Sequence, residues 1–154
     1  MNVAVSPVER PDIDEPAIRE YVTSILTTEG IPYDASLSIT FVSQADIAEL
    51  NERFMGKTGP TDVLSFPIED ASPDTPPIPA PGGPPLELGD IFICLEVVEV
   101  HAGEYGVPFT DELFLMVTHG VLHILGWDHH NDADAQAMES REARYLEKIG
   151  RTRR

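Results

Sequence analysis

The sequence predicts an α+β domain, a small mixed sheet of about four strands with about five helices packed on it. Three observations carry this. Short runs with strand character and stretches of helical periodicity follow one another in the rough order α β α β, a loop, then β α α α. The run from Leu113 to Leu125 is apolar nearly all round, which places a helix inside the molecule rather than on its surface. The length, 154 residues, suits one domain over 1–154 with a real core, and no internal repeat breaks it up.

Taken in order, Asp14 can cap a first helix with Pro16 in its opening turn, and Ile18, Tyr21, Val22, Ile25 and Leu26 follow the helical period. Gly30 and Pro32 stop it. Residues 36–42, "SLSITFV", alternate as a half-buried strand does. "SQAD" at 43–46 is a capping-box pattern that opens a helix carrying Ile47, Leu50 and Phe54. "GPTDVLSFP" at 59–67 contains a short strand around Val63–Phe66. Seven of the 14 prolines then fall between Pro73 and Pro85, so residues from about 70 to 87 form an extended surface loop inserted in the domain. "GDIFICL" at 89–95 is the next strand, and a short helix follows it to Gly106. Thr110 can cap the apolar helix, with Asp111 and Glu112 where the helix dipole favours acids. A last helix covers about 132–149, and a mobile basic tail, Arg151 to Arg154, follows.

The net charge is −17, which repels polyanions unless a metal ion, a local basic cluster or a basic partner intervenes. No run approaches the roughly 20 apolar residues of a membrane helix, and no basic segment followed by an apolar one opens the chain. The single cysteine, Cys94, excludes an internal disulfide and fits a reducing compartment. A cytoplasmic protein without membrane contact is therefore expected.

The chemistry concentrates in "THGVLHILGWDHH", residues 118–130. His119 and His123 are four residues apart on a helix, so their rings point the same way, one turn apart. Gly126 permits the left-handed turn that brings His129 back toward the same point. Three neutral imidazoles suit one Zn²⁺ ion with its fourth position open, the arrangement of a catalytic site. His130 points away and is read as solvated, and His101 as an isolated surface residue. The spacing matches the metzincin pattern H-E-x-x-H-x-x-G-x-x-H except that Gly120 stands where the catalytic glutamate belongs. The clamp of a metalloprotease is present without its base.

"HGVLHILGWDH" resembles the H-G-x-L-H-L-x-G-y-D-H signature of the bacterial YbeY proteins. "LNERFMGKTGPTDVLSFP" at 50–67 and "LGDIFIC" at 88–94 are similar to two further blocks of that family. The resemblance implies a zinc-dependent, single-strand-specific endoribonuclease of 16S rRNA 3′-end maturation and ribosome quality control. It implies His119, His123 and His129 as ligands of one zinc ion at the end of the buried helix. It also implies the small ribosomal subunit, its proteins and an assembly GTPase as partners.

One departure stands out: Met55 occupies a position where many members carry arginine, a natural phosphate partner. Lys57 or Arg53 would then supply the charge, depending on whether that segment is helix or turn. Candidate catalytic residues are accordingly His119, Lys57 and Asp128, the last either orienting a histidine or capping the turn. Asp62 and Ser65 can line the cleft, Asp90 reads as structural, and Trp127 can stack on a base or pack under the metal loop. Two other readings remain: a metal-dependent hydrolase of another substrate, and a ribosome-assembly factor acting mainly by binding.

Overall fold

In a computed structural model describing residues 1–154, local signals set most of the elements. Asp14 accepts the backbone N–H of Ala17 and opens helix α1, Glu15–Thr28. The buried stripe of α1 is Ile18, Tyr21, Val22, Ile25 and Leu26, the five periodic positions of the sequence. At about 1.5–3 kcal/mol for each large side chain taken from water, this stripe holds the helix on the sheet. Ser43 caps helix α2, Gln44–Met55, through the N–H of Asp46.

The strands are β1 (Asn2–Val5), β2 (Ser36–Phe41), β3 (Val63–Pro67) and β4 (Glu87–Ile93), ordered β1-β2-β4-β3. The pairs β1·β2 and β2·β4 are parallel, and β3·β4 is antiparallel, so the sheet is mixed. The α+β class is thus as expected, with five helices and four strands. Strand β1 has no counterpart among the strands placed from sequence. Only Val3 and Val5 mark it, and its partner β2 lies more than 30 residues away.

Helices α3 (Leu95–Tyr105), α4 (Phe109–Ile124) and α5 (Asp132–Lys148) complete the fold. Helix α4 begins one residue before Thr110. Pro108 is its N-cap and no side chain caps it, so Thr110 sits inside the first turn and instead accepts a hydrogen bond from Arg151. Eleven of the sixteen residues of α4 are buried, as an apolar circumference requires. The proline-rich connection runs between β3 and β4, largely exposed. No helix is long and apolar enough to cross a membrane.

Two further expectations are corrected. The tail is not loose: Arg151, Arg153 and Arg154 pair with Asp111, Glu142 and Glu112, because two of those acids are buried and require a cation. His101 is not isolated either. Its Nδ1 lies 3.0 Å from Asp62 Oδ2, since α3 packs beside the turn that leads into β3.

Candidate metal centre

The centre is built at the C-terminal end of α4. Tyr21 of α1 donates its hydroxyl to Thr118, which in turn donates to the Phe114 carbonyl, both at 2.6 Å. On the opposite side of α4, Ser65 of β3 donates to the Gly120 carbonyl at 3.1 Å. Between those two anchors sits His119. Gly120 is a packing requirement: a Cβ there would stand 3.0 Å from Ile91 Cγ2 and 3.3 Å from both Ile91 Cδ1 and Ser65 Oγ. Helix and sheet approach so closely here that the glutamate of the protease pattern has no room.

Helix α4 ends in a Schellman turn. Gly126 N donates to His123 O and Trp127 N to Leu122 O, with Gly126 at φ +94°. The turn returns the chain and brings His129 to His119 and His123. Ring centroids are 4.4 Å apart for His119 and His123, 5.1 Å for His123 and His129, and 5.8 Å for His119 and His129. One ligand atom from each ring lies within 4.8 Å of the others, a group able to hold a metal ion.

The outer partners set which nitrogen is free. His119 Nδ1 lies 2.7 Å from Glu142 Oε2, and His123 Nδ1 lies 2.9 Å from the Trp127 carbonyl. A carbonyl only accepts, and so does an ionised carboxylate, so each Nδ1 carries the proton and each Nε2 keeps a lone pair for a metal. Burial, reinforced by His119 and His129, pushes His123 down to about 4, so its ring is neutral at pH 7. Burial works to raise the Glu142 carboxyl, but the His119 and Arg153 hydrogen bonds and charges outweigh it and hold it below its ordinary value. The donor set therefore fits zinc: three imidazoles, two of them oriented from behind by a partner.

Glu142 lies 23 residues beyond His119, on α5, and nothing local in the sequence points to it. Asp128 does not take this role. Its Oδ1 accepts the N–H of His129 at 2.7 Å and its Oδ2 pairs with His130 Nε2 at 2.8 Å, so it shapes the turn that presents His129. His130 itself remains exposed, its side chain 78% accessible. Trp127 packs beneath the metal loop. Its Nε1 donates to Glu29 at 3.2 Å, the Arg141 guanidinium stacks over its ring, and Tyr145 donates to the same Glu29.

A cleft of about 790 Å³ opens over the histidines. Lys57, Met55, Asp62 and Ser65 line one side of it, and Glu142, Arg153 and Arg154 another. Lys57 follows the left-handed Gly56 that ends α2, so this segment has left the helix, and Lys57 lines the cleft. Arg53 stays on the helix over the Phe54 ring and is not part of the lining. Asp62 also accepts the N–H of Val63 at 2.8 Å, and Asp90 accepts the hydroxyl of Ser38 across the sheet, away from the histidines.

Residues 7–150 match the family model described as Endoribonuclease YbeY. The chain belongs to the endoribonuclease YbeY family. Relatives of that name include one from Moorella thermoacetica, 44% identical over 79% of this chain and 78% of its own length. The relative from Staphylococcus carnosus is 42% identical over 81% of this chain and 79% of its own, and that from Salinispora tropica 38% identical over 95% and 94%. Among solved structures, the solution structure of TM1509 from Thermotoga maritima superposes with a TM-score of 0.64 at 28% identity, covering 96% of this chain and 88% of that one.

Proposed function

We propose that this chain is a zinc-dependent, single-strand-specific endoribonuclease that acts in 16S rRNA 3′-end maturation and ribosome quality control in the cytoplasm. Its family membership supports RNA cleavage. The observation that carries the metal reading is the triangle of His119, His123 and His129, with two of the three Nδ1 atoms already engaged and their Nε2 atoms free. These three residues hold the ion. Zinc, when bound, supplies Lewis acidity toward a phosphoryl oxygen or an attacking water.

The chain's own residues do the rest. Glu142 and the Trp127 carbonyl fix the tautomers of His119 and His123. Asp128 holds the N–H of His129 and so the approach of the third ring. Lys57 lines the cleft and makes no ion pair, so its ammonium is available to a phosphate of the substrate. Arg153 and Arg154 line the cleft as well, but their charge is taken up by Glu142 and Glu112. Met55 brings no charge, which leaves Lys57 as the cation for the backbone. The small subunit and its proteins, with an assembly GTPase, are the partners this role entails.

The test is cleavage of an end-labelled single-stranded RNA by zinc-loaded protein, beside a duplex of the same sequence and a His123→Ala preparation. Cleavage of the single strand by the parent alone supports the reading. Equal cleavage by His123→Ala sinks the metal mechanism, and intact RNA throughout sinks the nuclease reading. Hydrolysis of a peptide bond finds no support at Gly120, where no acid fits.

A further inference from the structure

The family model ends its match at residue 150, and Arg151, Arg153 and Arg154 lie beyond it. The turn that directs them is local. Gly150, at φ +73°, closes a second Schellman turn: Gly150 N donates to Glu147 O and Arg151 N to Leu146 O. The chain therefore reverses off α5 and runs back along α4 and α5 rather than out into solvent.

Each arginine then meets an acid. Arg151 Nη1 lies 2.7 Å from Asp111 and stacks over the Phe114 ring. Arg154 Nε bonds Glu112, 3.0 Å from its Oε2, and stacks over Tyr105. Arg153 Nε lies 3.0 Å from Glu142 Oε1. Glu112 and Glu142, each 1% exposed, are the two buried carboxylates of the molecule. A buried carboxylate is costly unless a cation and hydrogen bonds satisfy it, and the tail supplies both cations.

The two pairs differ in what lies behind them. Glu112 is bonded to no histidine. Glu142 divides its oxygens, Oε1 to Arg153 and Oε2 to His119 Nδ1 at 2.7 Å. We propose that Arg153 is a positioning residue of the metal centre: by holding Glu142 Oε1 it fixes the carboxylate plane in which Oε2 accepts from His119, and so aims His119 Nε2 into the cluster. This rests on the reading of the three histidines as the zinc site. Arg153 is in turn held by the Arg154 carbonyl at 2.8 Å and by Glu139 at 3.6 Å, so the guanidinium is fixed on more than one side. Without it the carboxylate keeps a single partner and is free to rotate.

The experiment compares Arg153→Ala with Arg154→Ala and the parent. Zinc affinity is read by competition with a chromophoric chelator, the ligand field by the visible absorption of the Co²⁺-loaded protein, and folding by urea denaturation of the metal-free forms. Outer partners of metal ligands are typically worth roughly 10–100-fold in metal affinity. Arg153→Ala is expected to bind zinc about tenfold or more weakly and to alter the Co²⁺ spectrum, and Arg153→Lys, which keeps the charge, to recover part of the loss. Arg154→Ala is expected to lose stability while binding zinc like the parent. Zinc affinity within about twofold of the parent in Arg153→Ala overturns the proposal, and so does an equal loss in the two alanine variants. Should Arg153→Ala fail to fold, Arg153→Gln, which retains the stem and an N–H donor, is read by the same criteria. A parent that binds no zinc would instead reject the metal site itself.

Discussion

Restoring the protease glutamate at Gly120 should unfold this protein rather than create a peptidase. The Cβ of any residue there stands 3.0 Å from Ile91 Cγ2 and 3.3 Å from Ser65 Oγ. Alanine gains about 1 kcal/mol of helix propensity over glycine, against about 1–3 kcal/mol for overpacking, so Gly120→Ala should lose up to about 2 kcal/mol. Glutamate adds two methylenes and a carboxylate with no partner between helix and sheet. Its loss should exceed about 4 kcal/mol, a large part of the roughly 5–15 kcal/mol that holds a domain together. Urea denaturation of the metal-free protein measures both. Ile91→Ala removes both carbons that crowd Gly120. Combined with Gly120→Ala it should cost less than the sum of the single changes by about 1 kcal/mol. A Gly120→Glu protein as stable as the parent would refute the packing argument, and the missing glutamate would need another explanation.

Other consequences are as direct. At Gly126→Ala the new Cβ would overlap the Ala71 carbonyl of the proline-rich loop at a left-handed φ; the loss should be about 2–4 kcal/mol with weaker zinc binding, both read by titration. Zinc should raise the melting temperature of the parent in proportion to its affinity and leave His123→Ala unmoved, which calorimetry with and without a chelator checks. Tyr21 is pushed up to about 12 by burial, with Thr118 opposing. The folded form keeps a proton that the unfolded chain releases near 10. Its contribution is therefore complete below pH 10 and lost between about 10 and 12, and Tyr21→Phe should flatten that limb of the stability profile.

Local chemistry made much of this legible. Asp14 and Ser43 cap the helices that their spacing announced, and the His119–His123–Gly126–His129 interval foretold a turn that gathers three rings. What stayed hidden depends on contacts between distant residues. Strand β1 is four residues whose only signature is Val3 and Val5, and it forms by pairing with Leu37 and Ile39. Glu142 reaches His119 because α5 folds back across α4, and helical periodicity says nothing of which neighbour a face will meet. His101 and Asp62 are 39 residues apart. The tail looked mobile because four polar residues have no core of their own; their partners are acids placed by the tertiary fold.

The distribution of charge makes a last prediction about RNA. Of the ten basic residues, Arg151, Arg153 and Arg154 are committed to acids, Arg10 pairs with Asp12 and Glu99, and Arg141 with Glu29. Lys57 is the unpaired cation lining the cleft, in a molecule of net charge −17. Single strands lose affinity with salt at a logarithmic slope of about −0.7 for each phosphate neutralised. If Lys57 and the metal centre make one or two such contacts, affinity should fall by about threefold to sevenfold between 50 and 200 mM salt. Long-range repulsion, which salt screens, should reduce even that. Were the three tail arginines free to bind phosphate alongside Lys57, the same change would cost roughly 50-fold. Fluorescence anisotropy of a labelled single strand with the zinc-loaded parent protein, under conditions that prevent cleavage, separates the two. A steep fall would mean that the arginines leave Glu112 and Glu142 when RNA arrives, and that the tail is part of the substrate site.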